Sequence, residues 1–187
     1  IAFAIPGPAG IIAGIALAFH HALVKPALFM LIPAWGGQLS RLIGAAQVSL
    51  PGALLFLLLA LSLIGIPPLP GFWAKFLLVK GALEIGNDWY YLAIGVVLIA
   101  TVIKTAYFLR IVRLMFQQQS KQVVETPQTS ELTSAFTFVT ILLISILTIG
   151  PIGKSLTAVA EEAADKKAYL TNTLPVWHKS FPLDSIQ

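Results

Sequence analysis

Ionisable side chains interrupt the long apolar runs of this 187-residue sequence. His21 and Lys25 lie four residues apart in the first run, Lys75 lies in the second and Lys104 in the third. A lysine at the bilayer centre costs about 2.5–3.5 kcal/mol on insertion scales, so such residues usually face a protein interior or a wet cavity. Burial disfavours the charged form of lysine, and imidazole titrates near neutral pH. These residue types predict a relay that passes protons through water.

The first run places a proline directly after its lysine. A helix would put His21 and Lys25 on one face, about one turn apart, with His20 roughly 100° away. Pro26 has no N–H, so the carbonyl of Ala22 loses its helical donor. We predict a helix break there that lines a cavity. The alternative is a lysine that reaches the interface from the end of the span, beside a packed histidine.

Three prolines, Pro67, Pro68 and Pro70, predict a second and stronger break. They remove the helical donors of the carbonyls four residues earlier, which belong to Leu63, Ile64 and Ile66. Lys75 follows five residues after the last proline, about 7.5 Å along a helix axis. A break followed by a lysine resembles the discontinuous helices of transporter ion sites. The alternative is a span that ends at the prolines, with Lys75 at the interface.

Lys104 stands in the middle of the third run, with Thr101 and Thr105 nearby. From this depth its ammonium group cannot easily reach the membrane surface, so a partner or a wet cavity is expected. The alternative is a lysine that extends to the membrane edge beside Arg110 and Arg113, which are themselves most simply topology anchors.

The composition indicates that lipid is the main solvent. Hydrophobic residues make up 57% and charged residues 11% of the chain, whereas soluble domains are about 25% charged. We predict an all-α integral membrane bundle of about four transmembrane helices, two of them broken by proline. The spans are expected at about 9–35, 52–80, 89–115 and 132–153, within a bundle over 1–155 followed by an extramembrane tail over 156–187.

The loops that carry Arg41, Arg110 and Arg113 are predicted to be cytoplasmic by the positive-inside rule. The lysines of the C-terminal tail argue mildly for the opposite orientation. We expect a multi-pass protein of the bacterial inner membrane or an equivalent energy-transducing membrane.

Several kinds of chemistry are not expected. The chain has no cysteine, and its three histidines and eight carboxylates show no metal-site spacing. The basic residues are scattered, so nucleic acid is not an expected partner. We predict no cofactor and no catalysis by this chain alone. A start within apolar sequence, without a basic leader region, suggests no signal peptide and a fragment or one piece of a split subunit.

Two segments resemble a known family. HHALVKPALFMLIPAWGG resembles the H-A-x-x-K-A-x-L-F segment of the antiporter-like subunits of respiratory complex I, Mrp-type sodium/proton antiporters and membrane-bound hydrogenases. LALSLIGIPPLPGFWAKFLLVKGAL resembles the family's A-G-I-P-P-L-x-G-F-x-x-K segment, and KTAYFLRIVRLMF is similar to the helix that follows. The resemblance covers roughly residues 10–120.

The resemblance implies a fourteen-helix subunit with two inverted five-helix repeats, each with a broken helix and a proton half-channel. This chain would supply about the last four helices. Lys25 then matches the family's lysine in the eleventh helix, His21 the histidine one turn before it, and Lys75 the terminal lysine of the twelfth. Leu17 replaces a second histidine that the family often has, Pro26 stands in place of alanine, and Lys104 has no clear counterpart.

The sequence therefore predicts a proton-translocating subunit of a multi-subunit membrane complex. Lys25 and Lys75 would be relay sites, His21 a connector, and Lys104 and His20 additional members. The expected partners are other membrane subunits, lipid and protons, with sodium left open. Two alternatives remain, a structural spacer of a membrane arm and a stand-alone secondary transporter. An NADH/quinone oxidoreductase, a hydrogenase and a sodium/proton antiporter are equally compatible with these residues.

Overall fold

The computed structural model of the chain describes residues 2–118, 127–147 and 157–161, and within these ranges all regular structure is helical. After a 3-10 turn at Ala2–Ala4 come α1 (Pro8–Ala34), α2 (Ala45–Val48) and α3 (Leu50–Ile64). They are followed by α4 (Pro70–Ile85), α5 (Asp88–Met115) and α6 (Thr129–Leu147). A second 3-10 turn, Leu39–Leu42, lies between α1 and α2.

Helices α1, α5 and α6 are long and apolar enough to cross a membrane, whereas α3 is a shorter apolar helix. The second predicted span is divided between α3 and α4. The prediction of a bundle over 1–155 and a tail over 156–187 stays a prediction, because 148–156 and 162–187 lie outside the described residues.

The predicted break at Pro26 is wrong at the level of secondary structure, because α1 runs continuously through both Pro26 and Pro33. Proline fixes φ near −65°, which suits a helix, but inside one it costs about 3 kcal/mol through the lost hydrogen bond and the contact of its ring with the carbonyl four residues earlier. The neighbouring Val24, Ala27 and Leu28 are buried in the main core, and this packing holds the helix together.

Residue chemistry at the helix ends explains where the elements begin and stop. Ser49 accepts a hydrogen bond from the backbone N–H of Gly52 at 3.3 Å and caps α3, and Asn87 caps α5 by accepting from Trp89 N at 3.1 Å. α4 begins at Pro70, where a missing N–H costs nothing.

The main core joins the second half of α1 to α3, the end of α5 and α6. Its largest fully buried side chains include Trp35, Phe56 and Met115. A smaller cluster packs α4 against the start of the chain, around Ile5 and Leu78. Most of α5 presents apolar side chains outward, as expected for a helix surrounded by lipid or other membrane helices.

Candidate functional site

The helix break between α3 and α4 is the structural centre of the candidate site. α3 stops at Gly65, which has a φ of 90°, a left-handed conformation that favours glycine. The backbone N–H groups of Gly65 and Ile66 both donate to the carbonyl of Leu61, at 3.0 and 3.2 Å. The carbonyl of Ile66 accepts from Leu69 N at 3.0 Å, so it regains locally the donor that Pro70 cannot supply.

Lys75 replaces the other two donors that the prolines remove. Its Nζ donates to the carbonyl of Ile64 at 2.6 Å and to that of Leu63 at 3.2 Å. These are the carbonyls that the N–H groups of residues 67 and 68 would reach in an uninterrupted helix. An ammonium group is also favourable at a helix C-terminus, because the last carbonyls carry a partial negative charge.

Thr101 of α5 completes the surroundings of this ammonium group. Its Oγ1 donates to Val97 O at 2.8 Å within its own helix and lies 3.5 Å from Lys75 Nζ as an acceptor. Lys75 therefore links the end of α3, its own helix α4 and the middle of α5.

One cavity of about 410 Å³ brings together predicted relay residues from three helices: His21 of α1, Lys75 of α4 and Lys104 of α5. Thr101 lies on the same wall, and the remaining lining is apolar or glycine. Nδ1 of His21 is buried without a hydrogen-bond partner among the described residues. Three basic side chains that face one space can exchange a proton through water.

His20 lies beside this cavity but is almost fully buried, with 2% of its surface exposed. Its Nε2 is 3.0 Å from Ser62 Oγ, and its ring centroid is 5.2 Å from that of His21. A Cβ on Gly71 would overlap the carbonyl oxygen of Ser62 and lie 2.8 Å from Nε2. Only a glycine at 71 therefore lets α4 start so close to this hydrogen bond.

A second cavity, of about 520 Å³ and mainly apolar, has His20 on its wall and extends to Lys80 and Glu84. These two side chains form an exposed ion pair at 3.8 Å. The adjacent histidines thus lie on two different cavities, His20 on this one and His21 on the one with Lys75 and Lys104.

The role of Lys25 as a relay site stays a prediction. Its side chain is exposed, and it does not line the cavity that contains His21. α1 continues through Pro26, so the described helix has no break beside Lys25. Within the described residues, no group of three histidines or carboxylates could hold a metal ion.

Sequence reasoning missed Ser62 as the partner of His20. A serine in an otherwise apolar run was the available signal, but forty-two residues separate the two side chains. Their pairing depends on how α1 crosses the end of α3.

Comparison with known proteins places this chain in a family. The family model described as "NADH:quinone oxidoreductase/Mrp antiporter, TM" matches residues 1–99. NADH-quinone oxidoreductase subunit N of Paramagnetospirillum magneticum is 31% identical over 167 residues, covering 81% of this chain and 34% of that protein. The same subunit of Pelagibacter ubique is 38% identical over 92 residues, covering 49% of this chain and 19% of that protein.

The fold is also that of a solved structure. A chain of the Mrp complex from Dietzia sp. superimposes with a TM-score of 0.72 at 24% identity, covering 92% of this chain and 41% of that chain. The described helices thus form part of an antiporter-like membrane subunit. The chain belongs to the NADH:quinone oxidoreductase/Mrp antiporter transmembrane family, and it spans well under half the length of these relatives.

Proposed function

We propose that this chain forms part of the proton path of an antiporter-like subunit within a multi-subunit membrane complex. The observation that carries the proposal is the shared cavity of His21, Lys75 and Lys104 at the helix break. Lysines within apolar membrane helices are costly, and function is the usual reason for them. Family membership supports the same conclusion, because its named relatives belong to NADH-quinone oxidoreductase and Mrp complexes.

The path runs through residues that differ in their surroundings. Lys75 receives or releases a proton at the break, His21 connects α1 to the cavity, and Lys104 offers a third site on α5. Lys25 lies one helical turn from His21 on α1. Its side chain is exposed, so in the proposed path it passes protons between His21 and helices of neighbouring membrane segments. Water in the cavity carries the proton between groups that do not touch.

The orientation forms part of the proposal. Gly44 N donates to Leu114 O at 3.1 Å, so the segment after Arg41 and the end of α5 that carries Arg110 and Arg113 lie at the same end of the bundle. Arginines that cluster at one end favour the cytoplasmic side for that end. The start of α5 then lies on the opposite side of the membrane.

Proton uptake into proteoliposomes that contain the complete complex tests whether Lys25 and Lys104 belong to the path. We expect Lys25→Ala and Lys104→Ala each to slow uptake at least about tenfold. This corresponds to an increase of about 1.4 kcal/mol in the activation barrier for proton transfer when one proton-carrying group is removed. Lys80→Ala is the matched control, because this α4 lysine pairs with Glu84 at an exposed position.

A structural spacer would give a different result. If both variants transport protons at the rate of the Lys80→Ala control while the complex remains assembled, these lysines are not part of a path. The spacer function, in which the chain only bridges neighbouring subunits, would then be favoured.

A further inference from the structure

The end of α3 forms a set of oxygen atoms around a positive charge. Lys75 Nζ lies 2.6 Å from Ile64 O, 3.2 Å from Leu63 O and 3.5 Å from Thr101 Oγ1. Two of these oxygens are backbone carbonyls at a helix C-terminus, and the third is a hydroxyl whose proton is already donated to Val97 O. All three therefore offer lone pairs to the same point.

This arrangement has the chemistry of an alkali-cation site. Carbonyls of unwound segments and the C-terminal ends of half-helices are the groups that coordinate sodium in discontinuous membrane helices. The partial negative charge of the helix end adds to the attraction. Among the described residues, no carboxylate forms an ion pair with Lys75, so the oxygens themselves balance its charge.

We infer that the oxygens of Leu63, Ile64 and Thr101 form a binding site for an alkali-metal cation such as sodium, which the ammonium group of Lys75 occupies in this chain. Gly65 makes this occupation possible, because a Cβ there would lie 3.2 Å from both Cδ and Nζ of Lys75. The adjoining cavity of about 410 Å³ leaves room for water molecules as further ligands of a metal ion.

The consequence concerns ion selectivity and rests on the proposed function. A tethered ammonium group can give up a proton, but it cannot leave the site. Lys75 therefore keeps metal cations out of the break while allowing proton exchange there. Removal of this side chain converts the end of α3 into an open site for sodium.

The test is thermal unfolding of the complete subunit, purified in detergent with its membrane partners, in sodium chloride or choline chloride at equal ionic strength. We expect sodium to raise the melting temperature of Lys75→Ala by roughly 2–4 °C, because a cation that binds only the folded state stabilises it. The unaltered protein and Lys104→Ala, which both keep Lys75, show no such shift.

Two further variants make the result specific. Lys75→Met fills the same space with an apolar chain and is expected to show no sodium effect. Lys75→Gln keeps an N–H donor for one of the two carbonyls and therefore replaces Lys75→Ala if that variant is too unstable to purify. Its amide oxygen adds a further ligand for a metal ion. It is expected to gain stability from sodium.

The inference is overturned if neither Lys75→Ala nor Lys75→Gln responds to sodium, or if the unaltered protein responds equally. The outcome is independent of proton transport, since melting in detergent involves no gradient. A complex whose lysine variants transport protons normally could still bind sodium in Lys75→Ala. That combination would refute the proposed path and leave the cation site standing.

Discussion

Lys75 has a structural role at the helix break and a proposed role in proton transfer, and both depend on where its ammonium group lies. Its ammonium group satisfies the carbonyls of Leu63 and Ile64, which the prolines leave without donors, and it also faces the cavity that contains His21 and Lys104. A buried carbonyl without a donor costs about 1–3 kcal/mol. The stability of the break and the position of this proposed relay group are therefore coupled.

The coupling is tested by adding a methyl group at Gly65. Gly65→Ala is expected to lower stability and to slow proton uptake, because its Cβ would lie 3.2 Å from Lys75 Nζ. Gly86→Ala is the matched control, since Gly86 also has a positive φ of 66° but its Cβ would meet only Tyr91 OH, at 3.7 Å. Both variants pay about 1–2 kcal/mol for the left-handed conformation.

Thermal unfolding and proton uptake of the same preparations separate these effects. Both variants are expected to lose stability through the shared backbone conformation, but Gly65→Ala loses more because it also displaces Lys75, and only Gly65→Ala loses transport. Equal transport in the two variants would show that the position of Lys75 does not matter.

Predictions about single residues succeeded where a feature depends on neighbours in the sequence. They failed where a contact depends on how the helices cross. Proline chemistry identified which three carbonyls would lose their donors, because this depends only on a spacing of four residues. That Lys75 itself would replace two of those donors could not be read from spacing, since the chain must first turn at Gly65. The pairing of His20 with Ser62 likewise depends on tertiary packing.

Whether a proline ends a helix also depends on both the local sequence and the tertiary packing. Three prolines within four positions end α3 and begin α4, because no helix can absorb so many missing donors. A single proline at 26 does not end α1, since buried neighbours such as Val24 and Leu28 hold the helix on both sides. The error in the sequence prediction was to expect a helix break at the single proline Pro26.

Helix α5 offers a direct test of orientation, because its 28 residues span about 42 Å and it carries an exposed residue near each end, Asp88 and Arg113. This chain contains no cysteine, so single cysteines can be introduced without background from it. In intact cells that produce the complete complex, a membrane-impermeant maleimide is expected to label Asp88→Cys but not Arg113→Cys. Labelling of Arg113→Cys before the cells are permeabilised would reverse the proposed orientation.

At the scale of the whole molecule, the chain belongs to a known family but spans only part of the length of its relatives. Composition predicted a membrane helix bundle because 11% charged residues cannot cover a soluble domain. The motif around the three prolines predicted the family, which the match over residues 1–99 confirms. The cavity could not be predicted, because it depends on how α1, α4 and α5 meet.

The proposed path carries protons through the break at Lys75. Proton uptake by proteoliposomes of the complete complex, measured for Lys75→Ala beside Lys80→Ala, tests it most directly, because the two lysines share α4 but only Lys75 faces the cavity of His21 and Lys104. We predict a loss of at least about tenfold for Lys75→Ala and unchanged uptake for Lys80→Ala. Uptake at the control rate in an assembled Lys75→Ala complex would contradict a proton path through this break.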